Sequence, residues 1–187
     1  MDSLDDVLLD AASKMEKTLS VLRDQFSGLR TGKASPALVE NVQVTYYGTA
    51  TRLRDIAGIA TPEPRLIVIN AYDPNVLGDI EKAILSANVG VTPINDGRVI
   101  RVPIPELNEE RRKELVKVAR RQAEDARVAI RNVRREANDQ IKRLQKEGKL
   151  SEDDRDLGLS EIQSETDSHI ERIDASLNQK EADIMEV

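Results

Sequence analysis

Arg127 to Gln140 reads RVAIRNVRREANDQ. Around it, small or apolar residues recur at Ala126, Ile130, Val133 and Ala137, which is the spacing of one face of an α-helix. The same face extends back through Leu115, Val118 and Gln122 and forward through Ile141 and Leu144, with Gln122 its one polar break. Pro105 bars the helix upstream and Gly148 stops it downstream, and Asn108 is placed to cap it, with Arg111 where a capping box would carry glutamate. About forty residues at ~1.5 Å each make a rod of roughly 60 Å. Such a rod cannot hide its apolar stripe alone, so it needs partners of similar length.

Both flanks supply one. Residues 3–29 carry Leu4, Leu8, Ala11, Met15, Leu19, Leu22, Phe26 and Leu29 on a single seam, with Ser3 as the cap. Ser151 followed by Glu152, Asp153 and Asp154 opens a third helix, because carboxylates favour the positive end of a helix. Ile162, Thr166, His169, Ile173, Leu177 and Ile184 mark its seam. The expected body is an elongated antiparallel three-helix bundle made of residues 1–30 and 105–187.

Residues 31–104 follow another rule. Val42, Val44 and Tyr46 alternate with polar neighbours and lead into a Tyr47-Gly48-Thr49 turn, Leu66–Ile69 is a β-rich run, and residues 99–102 read as a last strand. Asp73-Pro74 opens a helix bearing Leu77, Ile80, Ile84 and Ala87, stopped by Asn88 and Gly90. This is a small β/α/β insert, so the fold class is α+β. Thr31, Gly32 and Lys33 lead out of the bundle, and Pro103, Ile104 and Pro105 lead back. Two short linkers joining two bodies make a hinge the expectation.

Composition excludes several functions. Cysteine is absent and histidine occurs once, at His169, a seam position, so disulfides, zinc centres and nucleophilic triads lack their material. No metal or cofactor is expected. The Gly28–Ser35 stretch suggests a phosphate loop but fails on glycine spacing and puts Ala34 where the hydroxyl should stand. No run approaches the roughly 20 apolar residues of a membrane span, and the acidic, amphipathic start resembles neither a secretory nor a transit peptide. A soluble, cytoplasmic monomer is expected.

The net charge of −6 conceals blocks. Residues 111–146 hold 13 basic and 5 acidic side chains, while residues 147–187 hold 4 and 13. At about 100° per residue, Lys113, Lys117, Arg120, Arg127, Arg131 and Arg134 fall on one arc of about 100° away from the apolar set. Arg135 shares the bearing of Lys117, and Arg112 lies near the seam edge. Only Glu124 interrupts the arc. Such a face is a solvated surface laced with i,i+4 ion pairs, an answer to the acidic third helix within the bundle, or a site for an external polyanion or for an acidic protein docked on a coiled-coil adaptor. Phosphate backbone suits it better than base reading, since guanidinium forks engage phosphate in pairs and the chain has only Phe26, Tyr46, Tyr47 and Tyr72 for stacking.

Six blocks, RTGKASP (30–36), VTYYGT (44–49), IRVPIP (100–105), EERRKEL (109–115), ARVAIRNVRREAND (126–139) and SEDD (151–154), together resemble the bacterial ribosome recycling factor family, in order and over essentially the whole chain. The resemblance implies a tRNA-like L shape and a non-enzymatic role after termination. The factor would bind the large ribosomal subunit through rRNA and, with elongation factor G, split the subunits. It assigns Arg134 the foremost rRNA contact, Arg131 and Arg135 flanking ones, and Arg30 and Arg112 others. The insert would meet elongation factor G, which hydrolyses the GTP. Ala50, Arg52 and Glu106 depart from the prolines common in the family.

Overall fold

The computed structural model describes residues 3–186. In chain order the elements are α1 (Leu4–Ser27), β1 (Gln43–Tyr46), β2 (Thr49–Arg52), the single turn α2 (Leu53–Ile56), β3 (Ala57–Glu63), β4 (Leu66–Ala71), α3 (Leu77–Ser86), β5 (Ile94–Asn95), β6 (Ile100–Pro103), α4 (Glu109–Lys146) and α5 (Glu152–Met185). Contact density divides the chain into two compact units. One takes the chain up to Phe26 together with Lys117–Glu181, and the other takes Ser27–Val116 and the chain from Ala182 onward.

The three long helices start where their caps dictate. The amide of Asp6 donates to Ser3 Oγ (3.2 Å), that of Arg111 to Asn108 Oδ1 (2.7 Å) and that of Asp154 to Ser151 Oγ (3.0 Å). Each bond satisfies one of the orphan amides that every helix N-terminus exposes. Gly148, at φ +75°, ends α4 in the left-handed conformation that a helix stop requires.

Within the helical unit, side-chain partners fix the directions. On α4 and α5, Arg120 meets Glu181, Arg127 meets Asp174 and Arg134 meets Gln163, so one number falls as the other climbs and the helices are antiparallel. Lys14 of α1 meets Glu136 of α4, and Arg172 of α5 meets Glu16 of α1. Val7, Ala11, Ala137, Ile141, Leu144 and Ile162 form one buried cluster drawn from all three helices. The α5 seam is buried throughout this unit, including Thr166, whose hydroxyl donates to the Ile162 carbonyl (2.7 Å), and His169, whose Nδ1 lies 2.8 Å from the Glu165 carbonyl oxygen.

The α4 core is broader than the expected seam. Val116, Ala119 and Ala123 are buried as well, while Val118 and Gln122 are only half-buried. The buried arc is therefore rotated by about 50° toward the arginines. The bearing was misjudged in the first half of the helix, where the seam was drawn through Val118 and Gln122 instead of Val116, Ala119 and Ala123.

The second unit is a small antiparallel assembly. β1 and β2 form a hairpin whose turn residues, Tyr47 (φ 47°) and Gly48 (φ 81°), adopt the paired left-handed geometry that matches strand twist. β3, β4, β6 and β5 lie in that order in a second, four-stranded sheet. Ile67, Ile69, Ile80, Ile84, Ile100 and Val102 make its fully buried centre. Asp73 accepts from the Asn75 amide (3.0 Å) and starts a 3-10 turn, Pro74–Val76, that leads into α3. Ala87 is exposed rather than part of the helix face, and Asn88 takes φ 50° at the stop. β3 answers to no alternation in the sequence.

The expected linkers lie inside this second unit. Pro103 closes β6 opposite Leu66, and Ile104 is buried with its amide donating to the Arg65 carbonyl (2.7 Å). The return linker is thus an extension of the sheet. Gly32, at φ 79°, is the one outgoing linker residue whose conformation disfavours any side chain.

Candidate nucleic-acid interface

The basic residues of α4 do not behave as one free arc. On the edge toward α5, Arg120 Nε donates to Glu181 Oε1 (2.5 Å) and its Nη2 to Glu181 Oε2 (3.3 Å). Arg127 donates through Nε (2.9 Å) and Nη2 (2.6 Å) to Asp174 Oδ1, and through Nη1 to Glu124 (3.0 Å). Only 19% of the Arg127 side chain is exposed. Burial works against its charge, but the bonds to Asp174 and Glu124 outweigh that and hold its pKa above the usual guanidinium value. Arg120 is raised likewise by its bond to Glu181. These two arginines, expected to face outward, are tied to α5 because the core arc is turned toward them.

Farther round the helix the charges are freer. Arg131 shares Glu124 (3.2 Å), and Lys113 pairs with Glu109 one turn away (2.8 Å). Arg134 lies on the edge toward α5 but meets only the neutral side-chain amide oxygen of Gln163 there (3.3 Å). Among the described residues, Lys117 and Arg135 enter no ion pair or hydrogen bond, and both are exposed. The same holds for Arg121 and Lys142, which share this side of the helix at about 100° per residue. Sequence inspection passed over those two, although the helical wheel contained the signal.

Arg30 and Arg112 stand apart, in the α+β unit. Arg30 donates to the carbonyls of Gly90 (3.1 Å) and Pro105 (2.8 Å), and burial, then the charge on Arg111, lowers its pKa. Arg112 lines a pocket of about 250 Å³ with Gly32, Lys33, Arg65, Glu106 and Leu107, where its buried Nε has no hydrogen-bond partner. Salt bridges Lys33–Glu186 (2.7 Å) and Arg65–Glu106 close the rim of that pocket. Among the described residues no cluster of His, Asp and Glu is built to hold a metal ion, and no helix is long and apolar enough to cross a membrane.

The split between tied and free arginines makes a prediction. Arg127→Ala is expected to destabilise the protein by about 1–2 kcal/mol, because it removes a mostly buried packing stem together with the charge-assisted bonds to Asp174 and Glu124. Urea unfolding checks it. A change as small as that of an exposed surface substitution would show that Arg127 is not a bracing residue.

Fold and charge together define a class: a helical scaffold with an α+β insert and a one-sided cationic strip. A model of the ribosome recycling factor family matches residues 22–185, and the chain belongs to that family. It is 50% identical over 181 residues to the ribosome-recycling factor of Natranaerobius thermophilus, covering 97% of this chain and 98% of that one. With the Carboxydothermus hydrogenoformans factor it shares 50% identity over 184 residues, covering 98% and 100%. A solution structure of the ribosome recycling factor superposes with a TM-score of 0.82 at 40% identity, covering 100% of both chains. A second match, with a TM-score of 0.68 at 44% identity and covering 98% and 100%, is to models of the T. thermophilus ribosome recycling factor and the E. coli elongation factor G bound to the E. coli post-termination complex.

Proposed function

We propose that this protein binds rRNA of the large ribosomal subunit through the strip of α4 that carries Lys117, Arg121, Arg131, Arg134, Arg135 and Lys142. It acts in ribosome recycling. It binds the post-termination ribosome and, with elongation factor G, promotes dissociation of the subunits. Its place of work is therefore the cytoplasm, and its role is binding without catalysis. The observation that carries the surface assignment is the contrast along α4: Arg120 and Arg127 are paired with carboxylates of α5, whereas Lys117 and Arg135 have no partner among the described residues. An unpartnered cation breaks no internal ion pair when it meets a phosphate, and release of the counterions condensed on the nucleic acid supplies the affinity.

Arg134→Ala is the first test. It should weaken binding to purified large subunits without lowering the melting temperature, because Arg134 meets only Gln163 across the helices. Affinity of the unaltered protein should fall steeply with salt. Flat affinity between low and moderate salt would overturn the phosphate reading. Sedimentation with purified subunits, set against pull-downs from RNase-treated extract, separates it from docking on an acidic protein.

Lys113 belongs to the same strip one turn nearer the helix start. Arg120 and Arg127 serve the rRNA face indirectly, by bracing α4 against α5, while Arg30 ties Gly90 to Pro105 within the α+β unit and Arg112 lines the pocket of that unit. The hinge is assigned to Thr31, Gly32 and Lys33, with Pro103, Ile104 and Pro105 as its fixed counterpart. Cysteines introduced on either side of these linkers in this cysteine-free chain, once oxidised, should leave large-subunit affinity nearly unchanged and slow subunit splitting. Splitting at full rate in the oxidised protein would make the swing dispensable.

A further inference from the structure

The opposite charge block of the helical unit also carries a surface. Asp5, Leu8, Leu9 and Ala12 of α1 and Glu161, Ile162 and Glu165 of α5 line a groove of about 380 Å³. That is within the roughly 300–1,000 Å³ of ordinary ligand sites. Its floor is apolar. Ile162 is buried, Leu8 is half-buried, and Leu9 stands 75% exposed. Its rim is wholly acidic, since no lysine or arginine is among the lining residues. Along α5, Leu157, Glu161 and Glu165 follow one another at four-residue spacing, so they share a face, and Leu157 is 56% exposed.

Two carboxylates of this rim are uncompensated. Among the described residues, neither Asp5 nor Glu161 pairs with a cation, while Glu165 meets His169 (3.3 Å) and lies in the field of Arg172. This contrasts with Glu124, Asp174 and Glu181, each of which is matched by an arginine of α4. Like charge keeps nucleic acid away from such a groove, while exposed leucines between unmatched carboxylates attract a chain that is apolar on one side and cationic on the other.

We infer that the α1–α5 groove is a docking site for a basic amphipathic helix of a protein partner, its apolar side chains beside Leu9 and Ile162 and its lysines or arginines against Asp5, Glu161 and Glu165. The inference is independent of the rRNA surface, which lies on α4, and each can fail without the other. It gives the dipolar helical unit two binding faces of opposite sign.

The test uses the full chain and a fluorescent synthetic helix of leucine and lysine, leucines on one face, about four turns long. Anisotropy titration should show one-to-one binding that weakens with salt. Amide shifts should move at Leu9, Glu161 and Glu165. Leu9→Asp makes the protein more acidic, so merely electrostatic attraction would strengthen, whereas docking should weaken by about tenfold or more. Glu161→Lys should weaken it as well, and Lys117→Glu, on α4, should leave it unchanged. Both groove positions are exposed, so the variants should melt like the parent protein. The inference is overturned by any of four outcomes: no binding of the helix, binding whose shifts map elsewhere, binding that survives Leu9→Asp, or sedimentation showing that a second copy of the chain occupies the groove.

Discussion

Replacing Lys117, Arg131 and Arg135 together by glutamate should lower affinity for large ribosomal subunits by about a hundredfold or more at ~0.1 M salt. Among the described residues, Lys117 and Arg135 give up no partner, and Arg131 gives up only the exposed Glu124 carboxylate at 3.2 Å. Exposed pairs of that kind contribute about 0–1 kcal/mol, so the melting temperature should hardly move. Each lost phosphate contact removes roughly 0.7–0.9 from the slope of log affinity against log salt, so the slope should drop by about two to three units. The comparison with Arg127→Ala is the decisive part. That variant should lose stability and keep most of its affinity, whereas the triple variant should do the reverse. If the triple variant binds within about threefold of the parent at the same salt, α4 does not grip rRNA with this face.

The distinction was only half legible in the sequence. Caps were easy to see, because Ser3, Asn108 and Ser151 are chemically marked and their amide bonds form locally. The Tyr47-Gly48 turn and the Asp73 start are local in the same way. β3 was missed because it is an edge strand, mostly exposed, that contains Gly58 and Pro62 and pairs only with β4. An edge needs no alternation, and it is where proline in a sheet is tolerated. The bearing of α4 was misjudged for a subtler reason. Ala119 and Ala123 are as buried as any isoleucine, but a small side chain carries almost no hydrophobic signal. Leaving them out turned the seam away from α5 and made Arg120 and Arg127 look free. The division into compact units at Phe26, Lys117 and Glu181 is likewise a property of packing that no composition shift announces.

That dependence on small residues makes Ile141 a sensitive position in the helical core. It is fully buried among Val7, Ala11, Ala137, Leu144 and Ile162, and two of those five neighbours are alanines that cannot swing into a void. Ile141→Ala should therefore sit toward the upper part of the ~2–5 kcal/mol range for such truncations. Against a total stability of about 5–15 kcal/mol that is a large fraction. At ~2–4 °C per kcal/mol, the melting temperature should drop by about 10 °C. Gly158 supplies a second reading of the same cavity. A Cβ added there would lie 2.6 Å from Leu4 Cδ1 and 3.3 Å from Ile141 Cδ1. In the parent protein, Gly158→Ala sets a clash against the ~1 kcal/mol that alanine gains over glycine inside a helix, and the two should nearly cancel. Once Ile141 is truncated, Leu4 has room to turn aside and the new methyl enters the vacated space. The double variant should therefore be more stable than Ile141→Ala alone by about 0.5–1.5 kcal/mol, a coupling that thermal melts of the four proteins in the cycle would measure. Strict additivity would mean that Gly158 is not packed against this cluster. Large-subunit affinity measured well below the lowered melting temperature should be unchanged in all four, because Lys117 and Arg135 face away from the cavity.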